Sequence, residues 1–412
     1  MTSTARVHRL AVIRGDGIGP EVIDASLEVL GAAQSAFGFR AELTQISAGA
    51  RHYLATGELW TPALQAQLRN HDAILFGAMG DPAVAPGILE RGFILEMRRS
   101  FQQAVNLRPV KLYPGVTTPI AGLTPERCDI VIVRENTEGS YVGRGSTVHA
   151  GTPHAVAVQE SVNTRMGVER VVEFAFRLAE RRGGTLTLCH KKNILIEAGT
   201  LWQSTVDDVS ARFPAVPVDY VHVDALCFYL PTTPERFNVI VTDNLFGDII
   251  TDLGAAIQGG LGVAASANLN LDGSGPSMFE AIHGSAPDIA GRGWANPIGA
   301  VLSTAMCLAH LGETDAARAI EAAAVHILAQ LPAMAGPAMG LSTEELGREI
   351  ARLVQSGAPV PVVPGHSVMD DLAALRRADE LAAPADGTGS RPAACNLEQS
   401  RPRSSVDRAP AF

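Results

Sequence analysis

Short apolar runs alternate with stretches of helical period along most of this 412-residue chain, and that alternation limits the possible folds more than any other feature. Arg9–Ile13, Ala73–Phe76, Ile130–Val133, Thr185–Leu188 and Val239–Val241 are brief, largely apolar and bounded by turn residues, as strands buried on both faces are. Between them, Glu21–Ser35 and Thr164–Arg181 place apolar residues at helical spacing. The same spacing predicts two helices across Ser303–Leu331, another over Thr343–Val354, and a short amphipathic stretch around Met369–Leu381. Strands separated by helices pair in parallel, so the expected class is α/β, with a mostly parallel sheet flanked by helices. No internal repeat interrupts the pattern.

Hydrophobic residues make up 46% of the chain and charged residues 18%, enough to build ordinary globular cores. Against 43 acidic residues there are only 33 basic ones, and the net charge of −10 repels a polyphosphate, so nucleic acid is not an expected partner. No apolar run approaches the roughly 20 residues that a membrane span needs. The first residues lead straight into a strand and lack a signal peptide's apolar middle. Cys128, Cys189, Cys227, Cys307 and Cys395 show no metal-ligand spacing and read as reduced thiols of a cytoplasmic protein. From Ala383 to Phe412 the chain is rich in Pro, Gly, Ser, Ala and Arg without apolar period, and is expected to be disordered.

Gly15-Asp-Gly-Ile-Gly-Pro-Glu21 follows the first strand and opens a helix, with Pro20 and Glu21 suited to its first turn. Its glycine spacing is not that of a Rossmann turn, and no P-loop occurs anywhere. Asp248 and Asp252, four apart, project from one helical face and form either a hard-oxygen site for Mg²⁺ or Mn²⁺ or a pair of solvated acids. Asp224, at what reads as the end of another strand, is a candidate third ligand. His190-Lys-Lys-Asn193 supplies a lysine suited to proton transfer beside a cation, without distinguishing Lys191 from Lys192. Arg98, Arg108 and Arg134 either grip a dicarboxylate or sit in internal ion pairs.

Two longer runs accompany these: Glu90-Arg-Gly-Phe-Ile-Leu-Glu-Met-Arg-Arg99 with Asn106-Leu-Arg-Pro109, and Phe279-Glu-Ala-Ile-His-Gly-Ser-Ala-Pro-Asp-Ile-Ala-Gly291 with Ala295-Asn-Pro297. In this order the motifs resemble the β-decarboxylating dehydrogenases, the isocitrate/isopropylmalate dehydrogenase family, over about Arg9–Leu331. The first run is most similar to the isopropylmalate branch. The resemblance implies a two-domain fold distinct from the Rossmann arrangement. Residues 1–104 and 260–357 would bind cofactor, and 105–259 would carry substrate, metal and the dimer contact. Residues 358–382 would form an extension ahead of the tail at 383–412.

It further implies that Arg98, Arg108 and Arg134 hold the malate carboxylates, with Tyr141 and Lys191 as the acid–base pair. Asp224, Asp248 and Asp252 would bind Mg²⁺ or Mn²⁺, Asp224 also touching substrate. The family is dimeric, and Lys191 and Asp224 are expected to reach the partner subunit's site. Glu280, His283, Gly284, Ser285, Ala286, Asp288, Ile289 and Asn296 would line the dinucleotide. A carboxylate at Asp288 accepts hydrogen bonds from ribose hydroxyls and repels a 2′-phosphate, so NAD is expected rather than NADP.

Phe93, Ile94 and Leu95 would meet the group on C3 of the substrate, and an apolar wall there suits isopropyl better than a second carboxylate. The expected reaction is oxidation and decarboxylation of (2R,3S)-3-isopropylmalate to 4-methyl-2-oxopentanoate in leucine biosynthesis. Tartrate or malate, isocitrate or homoisocitrate, and a secondary-metabolism analogue remain alternative substrates. Outside that chemistry stand a Mg²⁺-dependent phosphoryl-transfer enzyme, for which a P-loop lysine is lacking and the Asp288 loop is left unexplained, and a regulatory NAD-binding subunit, against which the intact set Tyr141, Lys191, Asp224, Asp248 and Asp252 speaks.

Overall fold

Ten strands of the computed structural model form one mixed sheet, and its middle, where the pairing reverses, positions the candidate site. The structure describes residues 6–357, 363 and 365–382. Ala383–Phe412, expected to be disordered, lies outside the described residues. In chain order the strands are β1 (Val7–Gly15), β2 (Arg40–Gln45), β3 (Ala73–Ala78), β4 (Val105–Lys111), β5 (Asp129–Glu135), β6 (Gly145–Val148), β7 (Val156–Gln159), β8 (Leu186–His190), β9 (Val218–His222), β10 (Val239–Thr242), β11 (Ala265–Leu269) and β12 (Ser277–Ala281). The large sheet runs β2-β1-β3-β12-β11-β4-β5-β10-β8-β9, while β6 and β7 make a separate, exposed ribbon.

Two parallel blocks, β2-β1-β3-β12 and β5-β10-β8-β9, are joined through antiparallel pairing at β12·β11, β11·β4 and β4·β5. In the first block alternate residues serve opposite cores: Ala73 and Leu75 pack into one, Ile74 and Phe76 into the other. Both faces being apolar, helices must cover both, as the expected class requires.

All five expected strands are present, as are the expected helices, now Gly19–Phe37, Arg165–Arg182, Ile298–His310, Thr314–Leu328 and Thr343–Ser356. The amphipathic stretch near the end is a helix, Val368–Ala382. It packs against Ile298–His310 on one block and Arg165–Arg182 on the other, with Asp371 paired to Arg181 and Arg182.

The strands that sequence reading passed over are informative. β2 is a mostly exposed edge, and β4, β11 and β12 carry Arg108, Asn268 and Glu280 among their apolar residues. Pro109, lacking an N–H, is tolerated because β11 pairs only with Val105–Leu107.

Candidate active site

The register of the four middle strands puts their polar residues on one face. Glu280 lies opposite Ser266, Asn268 opposite Asn106, and Asn106 opposite Arg134, with Arg108 two residues farther along the same face of β4. Leu107, Val133, Ala267 and Phe279 point the other way, into the main core. A period of two in Asn106-Leu-Arg108 and Ser266-Ala-Asn268 was therefore the sequence signal for β4 and β11.

Arg98, Arg108 and Arg134 come together here, at 7%, 5% and 1% exposure. Arg134 donates to Asp248 Oδ1 over 2.6 Å and to Asn244 Oδ1 through Nε and Nη2. Gly247 leaves room for its stem, since a Cβ there would stand 2.4 Å from Arg134 Cγ. Arg98 reaches Glu280 Oε1 at a long 3.4 Å, and Arg108 donates to the Thr251 hydroxyl. The Nε atoms of Arg98 and Arg108 are buried without a hydrogen-bond partner among the described residues. Burial first, then repulsion from Arg134 and Arg98, pushes Arg108 down to about 9. Internal ion pairing accounts for part of this set only; the uncompensated donors call for an anion.

Asp248 and Asp252 project from the helix Asn244–Ile257, whose start is capped by Asp243 accepting from Phe246 N. Tyr141, on the turn Ser140–Val142, donates its hydroxyl to Asp248 Oδ2 over 2.9 Å. Desolvation works to raise the Asp248 carboxyl, but Arg134, Arg108, Tyr141 and Arg98 together hold it below the usual carboxylate range. Burial, then Asp248, raises the Tyr141 phenol. Burial also raises Asp252, with Asp248 adding to it against Arg108 and Arg134.

Lys191 and Asp224 stand apart from this cluster. Lys191 follows β8 and donates to Asp224 Oδ1 at an exposed rim. Asp224 lies in the first turn of the helix Val223–Thr232, not at the end of a strand: β9 stops at His222, because Val223 already begins the helix. Among the described residues no group of three His, Cys, Asp or Glu side chains is placed to hold a metal ion, so one chain brings Asp248 and Asp252 together but not Asp224. Lys192 is separated from Lys191 by its contacts: it donates to Gln203 and lies over the Tyr220 ring.

Residues 282–296 link β12 to the helix Ile298–His310. Ile18 N donates to the Ser285 carbonyl, and Glu21 accepts from Gly291 N and Gly293 N, so the opening glycine loop braces this later loop. Gly17 makes that possible, with φ +58° and its Cα against the Ser285 carbonyl. Ser285 and Ala286 are half-buried and Gly284 exposed; Ile289 packs against the small core of Ile18, Val22 and Ala281. Asp288 is exposed. His283 is buried, its Nε2 without a partner, and burial lowers its pKa. Asn296 is turned inward, donating to the Met334 carbonyl and accepting from Ile298 N. Phe93, expected to meet the C3 group, is instead buried against Trp60 and Phe76 in the turn Glu90–Ile94, which winds as a π-helix, while Ile94 and Leu95 beside it are half-buried.

The isocitrate/isopropylmalate dehydrogenase pattern matches residues 9–350. The chain belongs to this family. It is 53% identical to the 3-isopropylmalate dehydrogenase of Thermobifida fusca, over 85% of this chain and 99% of that one. It is 54% identical to the enzyme of the same name from Frankia casuarinae, over 83% and 98%. The crystal structure of isocitrate dehydrogenase from Methylococcus capsulatus superposes with a TM-score of 0.76 at 33% identity, covering 84% of this chain and 99% of that one. The resemblance read from the sequence, leaning to the isopropylmalate branch, is borne out, and so is the fold class. Within this family framework, Asn244 and Thr251 are residues that sequence reading missed. They hold Arg134 and Arg108 but offer no charge or motif to draw attention.

Proposed function

We propose that this chain is an NAD-dependent and Mg²⁺- or Mn²⁺-dependent 3-isopropylmalate dehydrogenase, acting in leucine biosynthesis as a cytoplasmic homodimer. One observation carries the reading: three buried guanidiniums, two of them (Arg98 and Arg108) with an unpaired Nε donor, stand by Asp248 and Asp252, one helical turn apart. Such a set suits a dicarboxylate bridged to a hard cation. The two aspartates fit the metal as oxygen donors, and Asp224 from a second copy would complete their set. Exposed Asp288 and the unpaired His283 Nε2 fit NAD along the loop 282–296. Residues 1–104 with 260–357 would form the cofactor lobe, and 105–259 the lobe for substrate, metal and dimerisation.

Arg98, Arg108 and Arg134 orient the substrate through its carboxylates, while Ile94 and Leu95 receive the isopropyl group. Burying that group is worth roughly 2 kcal/mol. Held by Asp248, Asp252 and a second copy's Asp224, a metal ion would supply Lewis-acid polarisation of the hydroxy acid, and NAD⁺ along the loop 282–296 would supply the hydride acceptor. Lys191, poised by Asp224, takes the C2 hydroxyl proton in the partner's site. Tyr141, its phenol held protonated, returns a proton to C3 after CO₂ departs. The dimer is supported by apolar side chains left in the open on the two packed helices that carry the aspartates: Phe228 is 65% exposed and Ile249 54%.

The test is NADH formation by purified protein with NAD⁺, Mn²⁺ and a panel of C3-substituted malates that includes tartrate, isocitrate and homoisocitrate. Turnover fastest with 3-isopropylmalate and abolished by excess chelator is expected. Turnover that ignores the chelator, or is absent across the panel, would sink the reading.

A further inference from the structure

Asn268, fully buried on β11, uses its side chain at both ends. Nδ2 donates to Glu280 Oε1 over 2.8 Å, while Oδ1 accepts from Asn136 Nδ2 at 2.9 Å and from Asn106 Nδ2 at 3.0 Å. Those two amides are themselves anchored, Asn136 on the Gln103 carbonyl and Asn106 on the Ser266 hydroxyl. Three amides from β11, β4 and the end of β5 thereby fix the direction of one carboxylate.

That carboxylate has a competing partner. Arg98 stands 3.4 Å from Glu280 Oε1, longer than a charge-assisted hydrogen bond normally runs, and its Nε is unpaired. Guanidinium and carboxylate would ordinarily close into a bidentate pair. Here they do not, because the shorter bond to Asn268 holds Oε1 inward, and Oε2 makes no hydrogen bond among the described residues.

We infer that Asn268 is a positioning residue: it keeps Glu280 from collapsing onto Arg98, so that Arg98 stays available to the substrate anion and Glu280 to the cofactor. This rests on the functional reading above. Without Asn268, the two charges neutralise each other and both ligands lose a contact.

The experiment compares Asn268→Asp in the native and Glu280→Gln backgrounds, with KM for NAD⁺ and for 3-isopropylmalate measured against pH. The substitution is nearly isosteric but replaces the donor with a like charge. At pH 8 both KM values should rise about tenfold, with the melting temperature little changed. The ratio to wild type should fall toward one as the pH is lowered, because the introduced carboxyl regains a proton to donate to Glu280. In the Glu280→Gln background the same change should add less than about twofold, since no carboxylate is left to compete for Arg98. A penalty equal at every pH, or equal in both backgrounds, overturns the inference and leaves Asn268 a packing residue. If Asn268→Asp does not fold, Asn268→Ser is compared across the two backgrounds by the same criterion. Wild type assayed alongside separates the two levels: no NAD⁺ reduction by wild type overturns the functional reading and this inference together, whereas active wild type with unmoved KM values in the variant overturns the inference alone.

Discussion

The two charged rims of the second strand block differ in how far one chain completes them. Around Arg134 the guanidiniums are buried, and half-buried Asp248 is gripped by both Arg134 and Tyr141. Around Lys191 the only partner of the ammonium among the described residues is Asp224, its side chain 67% exposed, and Ile194 and Ile196 just beyond are open apolar residues. Preorganised electrostatics needs fixed, desolvated groups. The first rim satisfies that condition within one chain; the second would satisfy it only when another surface covers it. The contrast is what a site divided between two copies requires.

The largest effects test that division directly. Lys191→Met and Tyr141→Phe should each lower turnover by about 10³-fold, in line with the loss of a proton-transfer group. Unfolding the two inactive variants together and refolding them should restore activity to about a quarter of wild type, because half of the randomly paired dimers then carry one intact site. Absence of any recovery would place both residues in the same chain's site.

Phe228→Asp comes next. A charge on that exposed helix face should weaken self-association about 100-fold and lower activity in step with dissociation, followed by sedimentation at several concentrations. A monomer that stays fully active would break the comparison.

Gly17→Ala concerns neither rim but the loop that would bring the cofactor to them. Its added Cβ would meet the Ser285 carbonyl, at a residue already in the left-handed region. We expect about 2 kcal/mol lost from stability by denaturant titration and a higher KM for NAD⁺, with the KM for substrate unmoved.

An effect confined to acid pH lies beneath the exposed rim. His190, fully buried just before Lys191, has neither ring nitrogen hydrogen-bonded among the described residues, with Nε2 standing 3.7 Å from Asp243 Oδ2, and burial lowers its pKa to about 4. Its depressed value means that the unfolded chain binds the proton first. Stability present above about pH 6.5 is therefore lost as the pH falls toward 4, by up to about 3 kcal/mol. His190→Gln should flatten that portion of the stability–pH curve; an unchanged slope would show that His190 titrates normally.

Reading the chain alone recovered what depends on local pattern. The strands β1, β3, β5, β8 and β10 each contain a short, largely apolar run, and their neighbours repeat at helical period, so both were visible without neighbours in space. β4, β11 and β12 were not, since their buried Asn106, Asn268 and Glu280 look like loop residues until cross-strand partners satisfy them. Phe93 was placed in the substrate wall on sequence adjacency to Ile94 and Leu95, yet one residue along a helical turn changes a side chain from half-buried to core.

Residue identity and order by themselves determined the α/β class, the family and the chemical types gathered for the site. Only the tertiary structure decided which of those groups meet. It put three arginines and two aspartates on one polar face and sent Lys191 and Asp224 to another rim. It also assigned Asn268 to restrain Glu280. The physical reason is that burial and hydrogen-bond satisfaction belong to pairs of residues far apart in sequence, and only the register of the strands says which pairs they are.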